Sequence, residues 1–85
     1  MTRKTKLLTR LKARPKDFTW SEATTLMRQC DFALKSGSGS TRVFVHSVTK
    51  QKVFLHEPHP SQILKPYMVD RLIEGLQNAG VIQSD

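Results

Sequence analysis

The chain has 85 residues, and 14 Lys and Arg against 7 Asp and Glu give it a formal net charge of +7. A chain of this length forms one small domain, in which a large apolar cavity or a deep cofactor pocket is hard to support, so we expect a surface site. The net charge favours a polyanionic partner. The open alternative is that this chain is generically basic and has no such partner.

The first 16 residues form a basic block before a main domain that we place at residues 17–85. Leu7, Leu8 and Leu11 recur at helical spacing and predict a short amphipathic helix. We expect this arm to contact nucleic acid or to stay solvated, since three leucines offer little apolar surface to a membrane. The chain has neither a membrane-spanning apolar run nor the apolar region of a signal peptide, so a cytoplasmic location is expected. The cations of the first 14 residues are Arg3, Lys4, Lys6, Arg10, Lys12 and Arg14.

A second helix is predicted to begin near Trp20. Thr19 and Glu22 have the spacing of a capping box, in which each side chain satisfies a backbone donor of the other residue. The apolar face that follows must be covered, and a sheet is the available cover. We expect Cys30, the single cysteine, to be a small core residue. The apolar face consists of Ala23, Leu26, Met27 and Cys30.

Three strands are predicted next, at Phe32 to Lys35, Thr41 to Ser47 and Lys52 to His56. The short links between them favour an antiparallel meander. Alternation along the strands predicts one aliphatic face and one face of mixed aromatic and basic residues. The aliphatic face is assigned Val43, Val45, Val53 and Leu55, and the mixed face Arg42, Phe44, His46, Lys52, Phe54 and His56.

A final helix is predicted after the loop at residues 57–61. Pro66 suits its first turn and Gly80 its end. The resulting order predicts an α+β fold, with a three-stranded antiparallel sheet and helices on one face, plus the extra basic N-terminal helix. The apolar stripe of the final helix is Met68, Val69, Leu72, Ile73 and Leu76.

Three histidines, His46, His56 and His59, lie close together in the sequence. Imidazole changes charge near neutral pH, with a reference pKa of about 6.5, so it serves as a general base or acid. A metal site is not expected, because there is no second cysteine and His56 and His59 are separated by a proline-containing loop that lacks zinc-ligand spacing.

RNA cleavage without a metal needs a base for a ribose 2′-hydroxyl, an acid for the leaving oxygen and cations around the phosphate. His46 and His56 on adjacent strands can supply the first two. The nearby cations are Arg42, Lys50 and Lys52. The alternative is that all these residues are exposed polar groups on the open face of a half-buried sheet.

The turn from Ser36 to Ser40 contains the sequence SGSGS. It is too short for a P-loop and lacks the Gly-Lys-Thr that holds a triphosphate. Its backbone N–H groups suit a single phosphate. A simple flexible hairpin connection is the alternative.

Three short motifs occur in order in the C-terminal half: His59-Pro60, Leu64-Lys65-Pro66 and Asn78-Ala79-Gly80-Val81. In order and spacing they look like the HP, LKP and QAGI elements of the HicA family, the small RNA-cleaving toxins of bacterial toxin–antitoxin pairs. The resemblance runs from about Thr19 to Ile82.

This resemblance implies a double-stranded-RNA-binding-domain-like fold, so that residues 17–85 form a HicA-like domain. It also implies a toxin that cleaves mRNA, arrests translation and is neutralised by a HicB-type antitoxin covering the active face. No cofactor is expected.

The family's turn reads Gly-Ser-His-His, with the first histidine catalytic. Here Gly39 and Ser40 match, but Thr41 and Arg42 stand where the histidines belong, so the chain looks like a divergent branch. Neither residue can act as a base near neutral pH, although Arg42 suits a phosphate.

The candidate bases are therefore His56, His46 and His59. His56 is the first choice because its strand runs beside that of Arg42 and alternation assigns both to the mixed face. The candidate phosphate or RNA ligands are Arg42, Ser40, Lys50, Lys52 and Lys65. Two alternatives stay open, namely a non-catalytic RNA-binding module and a basic protein whose main role is to bind a partner protein.

Overall fold

In the part of the chain that the structure describes, three helices and three strands follow one another in the predicted order. The computed structural model describes the backbone of residues 3–82 and the side chains of residues 6–82, so the side chains of Arg3 and Lys4 and residues 83–85 lie outside it. No helix in the described range is long and apolar enough to span a membrane. The elements are α1 (Arg3–Lys12), α2 (Trp20–Gln29), β1 (Phe32–Ser36), β2 (Thr41–His46), β3 (Lys52–His56) and α3 (Pro66–Asn78).

The strands form one antiparallel sheet in the order β1-β2-β3. Helix α2 packs against β1 and helix α3 against β3. Phe32, Phe44, Val53 and Leu55 are buried beneath these helices, whereas the other sheet face is largely open. The predicted α+β fold, with a three-stranded antiparallel sheet and helices on one face, is confirmed.

The pairing register corrects the predicted faces of β2. Phe44 lies opposite Val53, and Arg42 lies opposite Leu55. Directly opposed residues of an antiparallel pair share a face, so the aromatic set of β2 belongs with the aliphatic set of β3. The helix-covered face carries Arg42, Phe44, His46, Val53 and Leu55, and the open face carries Val43, Val45, Lys52, Phe54 and His56.

Phe44 explains why β2 has this orientation. Its side chain is 1% exposed, and its ring centroid lies 5.7 Å from that of Trp20 at the start of α2. A buried phenyl ring removes more apolar area from water than a valine does. Turning β2 to bury Phe44 therefore leaves Val43 and Val45 only partly covered.

Helix α2 begins with the predicted capping box. The Glu22 backbone N–H donates to Thr19 Oγ1 at 3.1 Å, and the Thr19 backbone N–H donates to Glu22 Oε1 at 3.1 Å. Cys30, which follows the helix, is 2% exposed. Both the predicted start of α2 and the predicted core position of Cys30 are confirmed.

Helix α1 packs against both α2 and α3. Leu11 is fully buried, and Arg10 donates at 2.7 Å to both Asp17 and Glu22. Arg14 forms a further ion pair with Asp70 of α3 at 2.8 Å. The predicted N-terminal helix is therefore docked on the domain, while a domain boundary at residue 16 stays a prediction.

Helix α3 lies close to β3 at Gly75, where an added Cβ would overlap Cγ2 of the buried Val53. Gly75→Ala gains about 1 kcal/mol of helix propensity, but overpacking typically costs about 1–3 kcal/mol. We therefore expect a net loss of up to about 2 kcal/mol in the free energy of unfolding, measured by urea denaturation. Adding Val53→Ala to Gly75→Ala should cost less than the sum of the single changes. Additive losses would contradict this close packing.

Candidate active site

A cleft of about 420 Å³ opens at the end of the sheet where β2 begins and β3 ends. It brings together four of the predicted site residues, namely Ser40, His56, His59 and Lys65. All four side chains are exposed. The cleft therefore offers two imidazoles, a hydroxyl and an ammonium group to a bound molecule.

The turn before β2 places Ser40 at the cleft. The Gly37 N–H donates to the Thr41 carbonyl at 2.8 Å, and the Thr41 N–H donates to the Ser38 carbonyl at 3.0 Å. Gly39 has a φ of 59°, a left-handed conformation that glycine adopts readily. Across the sheet, the Glu57 N–H donates to the Ser40 carbonyl at 3.0 Å. The turn is thus a hydrogen-bonded hairpin connection whose last residue is fixed beside the end of β3.

Ser40 and His56 form a side-chain pair in the cleft. Ser40 Oγ lies 3.2 Å from Nδ1 of His56. If the hydroxyl accepts from an Nδ1–H group, the neutral ring keeps its lone pair on Nε2, and Nε2 is then a base. A serine hydroxyl can adopt this role because it both accepts and donates. The pair therefore has the chemistry to orient His56 as a general base.

Thr41 lies directly opposite His56 in the β2–β3 pairing. The bond from Glu57 to Ser40 marks the neighbouring pair as hydrogen-bonded, so Thr41 and His56 form a non-hydrogen-bonded pair. Cα atoms in such pairs are about 4.5 Å apart, and their side chains lie close together on one face. His56 thus stands beside the position at which the sequence resemblance places the family's catalytic histidine.

The segment from residue 57 to residue 65 carries His59 and Lys65 and is tied to the start of α2. The Trp20 N–H donates to the Gln62 carbonyl at 2.7 Å, and the Leu64 N–H donates to the Phe18 carbonyl at 2.8 Å. Sequence reasoning missed Tyr67, which is 44% exposed and also lines the cleft. The available signal in the sequence was an aromatic residue in the first turn of α3 that does not belong to the apolar stripe of that helix.

Arg42 does not share a face with His56, which corrects the reason for choosing His56 first. Its guanidinium NH1 donates to the carbonyls of Gly39 at 3.1 Å and Thr41 at 2.9 Å. Its Nε lies 3.5 Å from a Glu57 carboxylate oxygen. Arg42 therefore fixes the turn and pairs with the carboxylate that lines the cleft.

His46 lies away from the cleft, on the helix-covered face, and is 7% exposed. Its Nδ1 accepts from the backbone N–H groups of Val48 at 3.1 Å and Thr49 at 3.2 Å. Through these contacts, the His46 side chain fixes the backbone of the β2–β3 turn. The predicted approach of His46 to His56 is wrong, because the two lie on opposite faces and at opposite ends of the strand pair.

Lys50 and Lys52 also lie away from the cleft. Lys50 is in the β2–β3 turn, where its Nζ donates to the Ser47 carbonyl at 3.0 Å. Lys52 begins β3, opposite Val45, whereas His56 ends that strand. Among the residues with described side chains, no group of three or more His, Cys, Asp or Glu is placed to hold a metal ion.

A family model described as the HicA toxin of bacterial toxin–antitoxin systems matches residues 20–81. The matched range runs from the start of α2 to just beyond α3, so it contains the whole sheet and the cleft and leaves out α1. The chain matches no curated protein and no solved structure at a significant level. Because the match covers well over half of the chain, the protein belongs to the HicA family of toxins from bacterial toxin–antitoxin systems.

Proposed function

We propose that this toxin is a metal-independent endoribonuclease that cleaves mRNA and so arrests translation. The observation that carries the proposal is the Ser40–His56 pair, at 3.2 Å, with His56 directly opposite Thr41. A histidine is thereby supplied from β3 beside the position where Thr41 replaces the family's catalytic histidine.

In the proposed reaction, His56 Nε2 takes the proton of a ribose 2′-hydroxyl. The 2′-oxygen then forms a bond to the adjacent phosphorus, and the bond from phosphorus to the 5′-oxygen breaks. Protonated His59 gives its proton to that leaving oxygen, and Lys65 stabilises the added negative charge on the phosphorane. The products are a 2′,3′-cyclic phosphate and a 5′-hydroxyl end.

The proposed partner besides mRNA is a HicB-type antitoxin that covers the cleft, and the proposed place of action is the cytoplasm, where mRNA is translated.

A second candidate function is RNA binding without catalysis by a domain of the same fold. Thr41 and Arg42 favour it, because neither side chain replaces the missing base and Arg42 is engaged with the turn and Glu57.

Incubation of the purified protein with single-stranded RNA tests the proposal. We expect cleavage to persist with excess EDTA, because His56 and His59 supply the proton transfers, and to give 2′,3′-cyclic phosphate ends. A matched oligodeoxynucleotide should stay intact, since it lacks the 2′-hydroxyl nucleophile. Binding without cleavage would instead support the non-catalytic RNA-binding module.

A further inference from the structure

The open face of the sheet presents one large aromatic ring to solvent. Phe54 is 55% exposed, whereas Phe32 and Phe44 on the other face are 3% and 1% exposed. We propose that Phe54 is a stacking platform for an unpaired base of single-stranded RNA, which places the substrate strand beside the cleft. This inference rests on the proposed function and concerns how the same site holds its substrate.

The register surrounds Phe54 with residues suited to a nucleic-acid strand. Lys35 and Val43 lie in the same cross-strand row as Phe54. Lys52 and His56 are its neighbours at i−2 and i+2 on the same face, each about 7 Å along the strand. An aromatic ring therefore stands between two lysines and the proposed catalytic imidazole.

The charge of this face favours a polyanion. Among the residues of the three strands, all within the described part of the chain, none is Asp or Glu. Glu74 of α3 lines a cavity with Lys52 and Phe54 beyond the edge of β3, and Arg71 lines the same cavity. Acidic side chains are thus kept off the strands themselves, where phosphates would lie.

Arg71 links the platform to the cleft. Its NH1 donates to the Phe54 carbonyl at 3.2 Å, and its guanidinium carbon lies 5.2 Å from the centre of the Tyr67 ring. Tyr67 itself lines the cleft. Arg71 therefore places a cation between the backbone of Phe54 and an aromatic ring that lines the cleft.

A single-stranded nucleic acid fits this surface better than a protein partner. Every unpaired base has a π-face that stacks on an aromatic ring, whereas the faces of paired bases are occupied within a duplex. Along β3 the ring is flanked by Lys52 and His56, and Val43 lies directly across from it. Cationic and polar groups therefore stand next to the ring, whereas the cores of protein-binding surfaces are depleted of charged residues.

Binding of a single-stranded RNA of about 12 nucleotides, carrying 2′-fluoro ribose throughout, tests the inference. This probe lacks the 2′-hydroxyl nucleophile, so it measures binding apart from cleavage. By fluorescence anisotropy, we expect Phe54→Leu to weaken binding about tenfold and Phe54→Tyr to change it less than about twofold. Leu34→Ala is the matched control, since Leu34 is 43% exposed on the other face of the sheet, and it should bind like the wild type.

A probe with abasic nucleotides separates stacking from charge. The wild type should bind the abasic probe about tenfold more weakly than the complete one, whereas Phe54→Leu should bind both equally. Phe54→Leu should also keep the wild-type dependence of affinity on salt, because stacking releases no counterions. Lys52→Met should reduce that slope by about one unit.

The outcomes separate this inference from the proposed function. If the protein binds the probe through Phe54 but cleaves no RNA, the platform stands and the ribonuclease proposal falls. If RNA is cleaved while Phe54→Leu binds the probe like the wild type, the platform is overturned and the ribonuclease stands. Normal RNA binding by Phe54→Leu together with lost antitoxin binding would also overturn the platform, because it would assign Phe54 to a protein interface.

Discussion

Replacement of His56 by alanine should slow RNA cleavage by about 10²- to 10⁴-fold, the usual contribution of a positioned general base. The measurement is single-turnover cleavage of an end-labelled RNA at saturating enzyme. Because the His56 side chain is exposed and outside the core, the variant should unfold at nearly the wild-type urea concentration. Cleavage at the wild-type rate by folded His56→Ala would refute the assignment.

A second substitution makes the same test sharper. Thr41 lies directly across the strand pair from His56, so Thr41→His in the His56→Ala background returns an imidazole to the same region. We expect at least a tenfold recovery of the rate.

His46→Ala is the contrasting variant, since it removes an imidazole that holds the turn backbone. It should lower stability but leave cleavage per folded molecule near normal.

Replacement of Leu11 by alanine should lower the free energy of unfolding by about 2–5 kcal/mol, because it leaves a cavity among α1, α2 and α3. The Leu11 side chain is completely buried, with 0% relative exposure, although it lies in the basic N-terminal block. For a small domain whose total stability is about 5–15 kcal/mol, this is a large fraction. Urea denaturation followed by circular dichroism measures it.

Thr9→Ala on the exposed side of the same helix is the matched control and should change stability by less than about 0.5 kcal/mol. Equal stability of Leu11→Ala and the wild type would mean that α1 does not contribute to the core in solution. The block would then behave as the separate basic arm that its composition suggests.

The helices and strands were predictable because each has a local signal. Thr19 and Glu22 mark the start of α2, and Pro66 marks the start of α3. The faces of β2 were not predictable in the same way. Alternation shows which residues of one strand share a face, but Val43 and Phe44 are both apolar neighbours. The choice between them depends on the ring of Trp20, which packs on Phe44 from another element.

The members of the candidate site were predictable as residue types, but their grouping was not. His56 and His59 are close in sequence, whereas Ser40 and Lys65 join them only through the hairpin register and the path of residues 57–65. That path depends on backbone hydrogen bonds to Phe18 and Trp20. Such bonds join backbone N–H and carbonyl groups, which nearly all residues carry, so no pattern of side chains in the sequence predicts them.

The cross-strand pairing of Thr41 with His56 bears on how catalytic residues are traced between relatives. An alignment column compares position 41 only with its equivalents, and under the sequence resemblance that column holds Thr41 where the family has its base. Two alignment positions whose residues face each other across a hairpin can nevertheless pass a histidine from one position to the other. This happens when an ancestor carries histidine at both positions. Loss in one column and gain in the other then leave the imidazole in nearly the same place, and a search for inactive family members should compare positions in space.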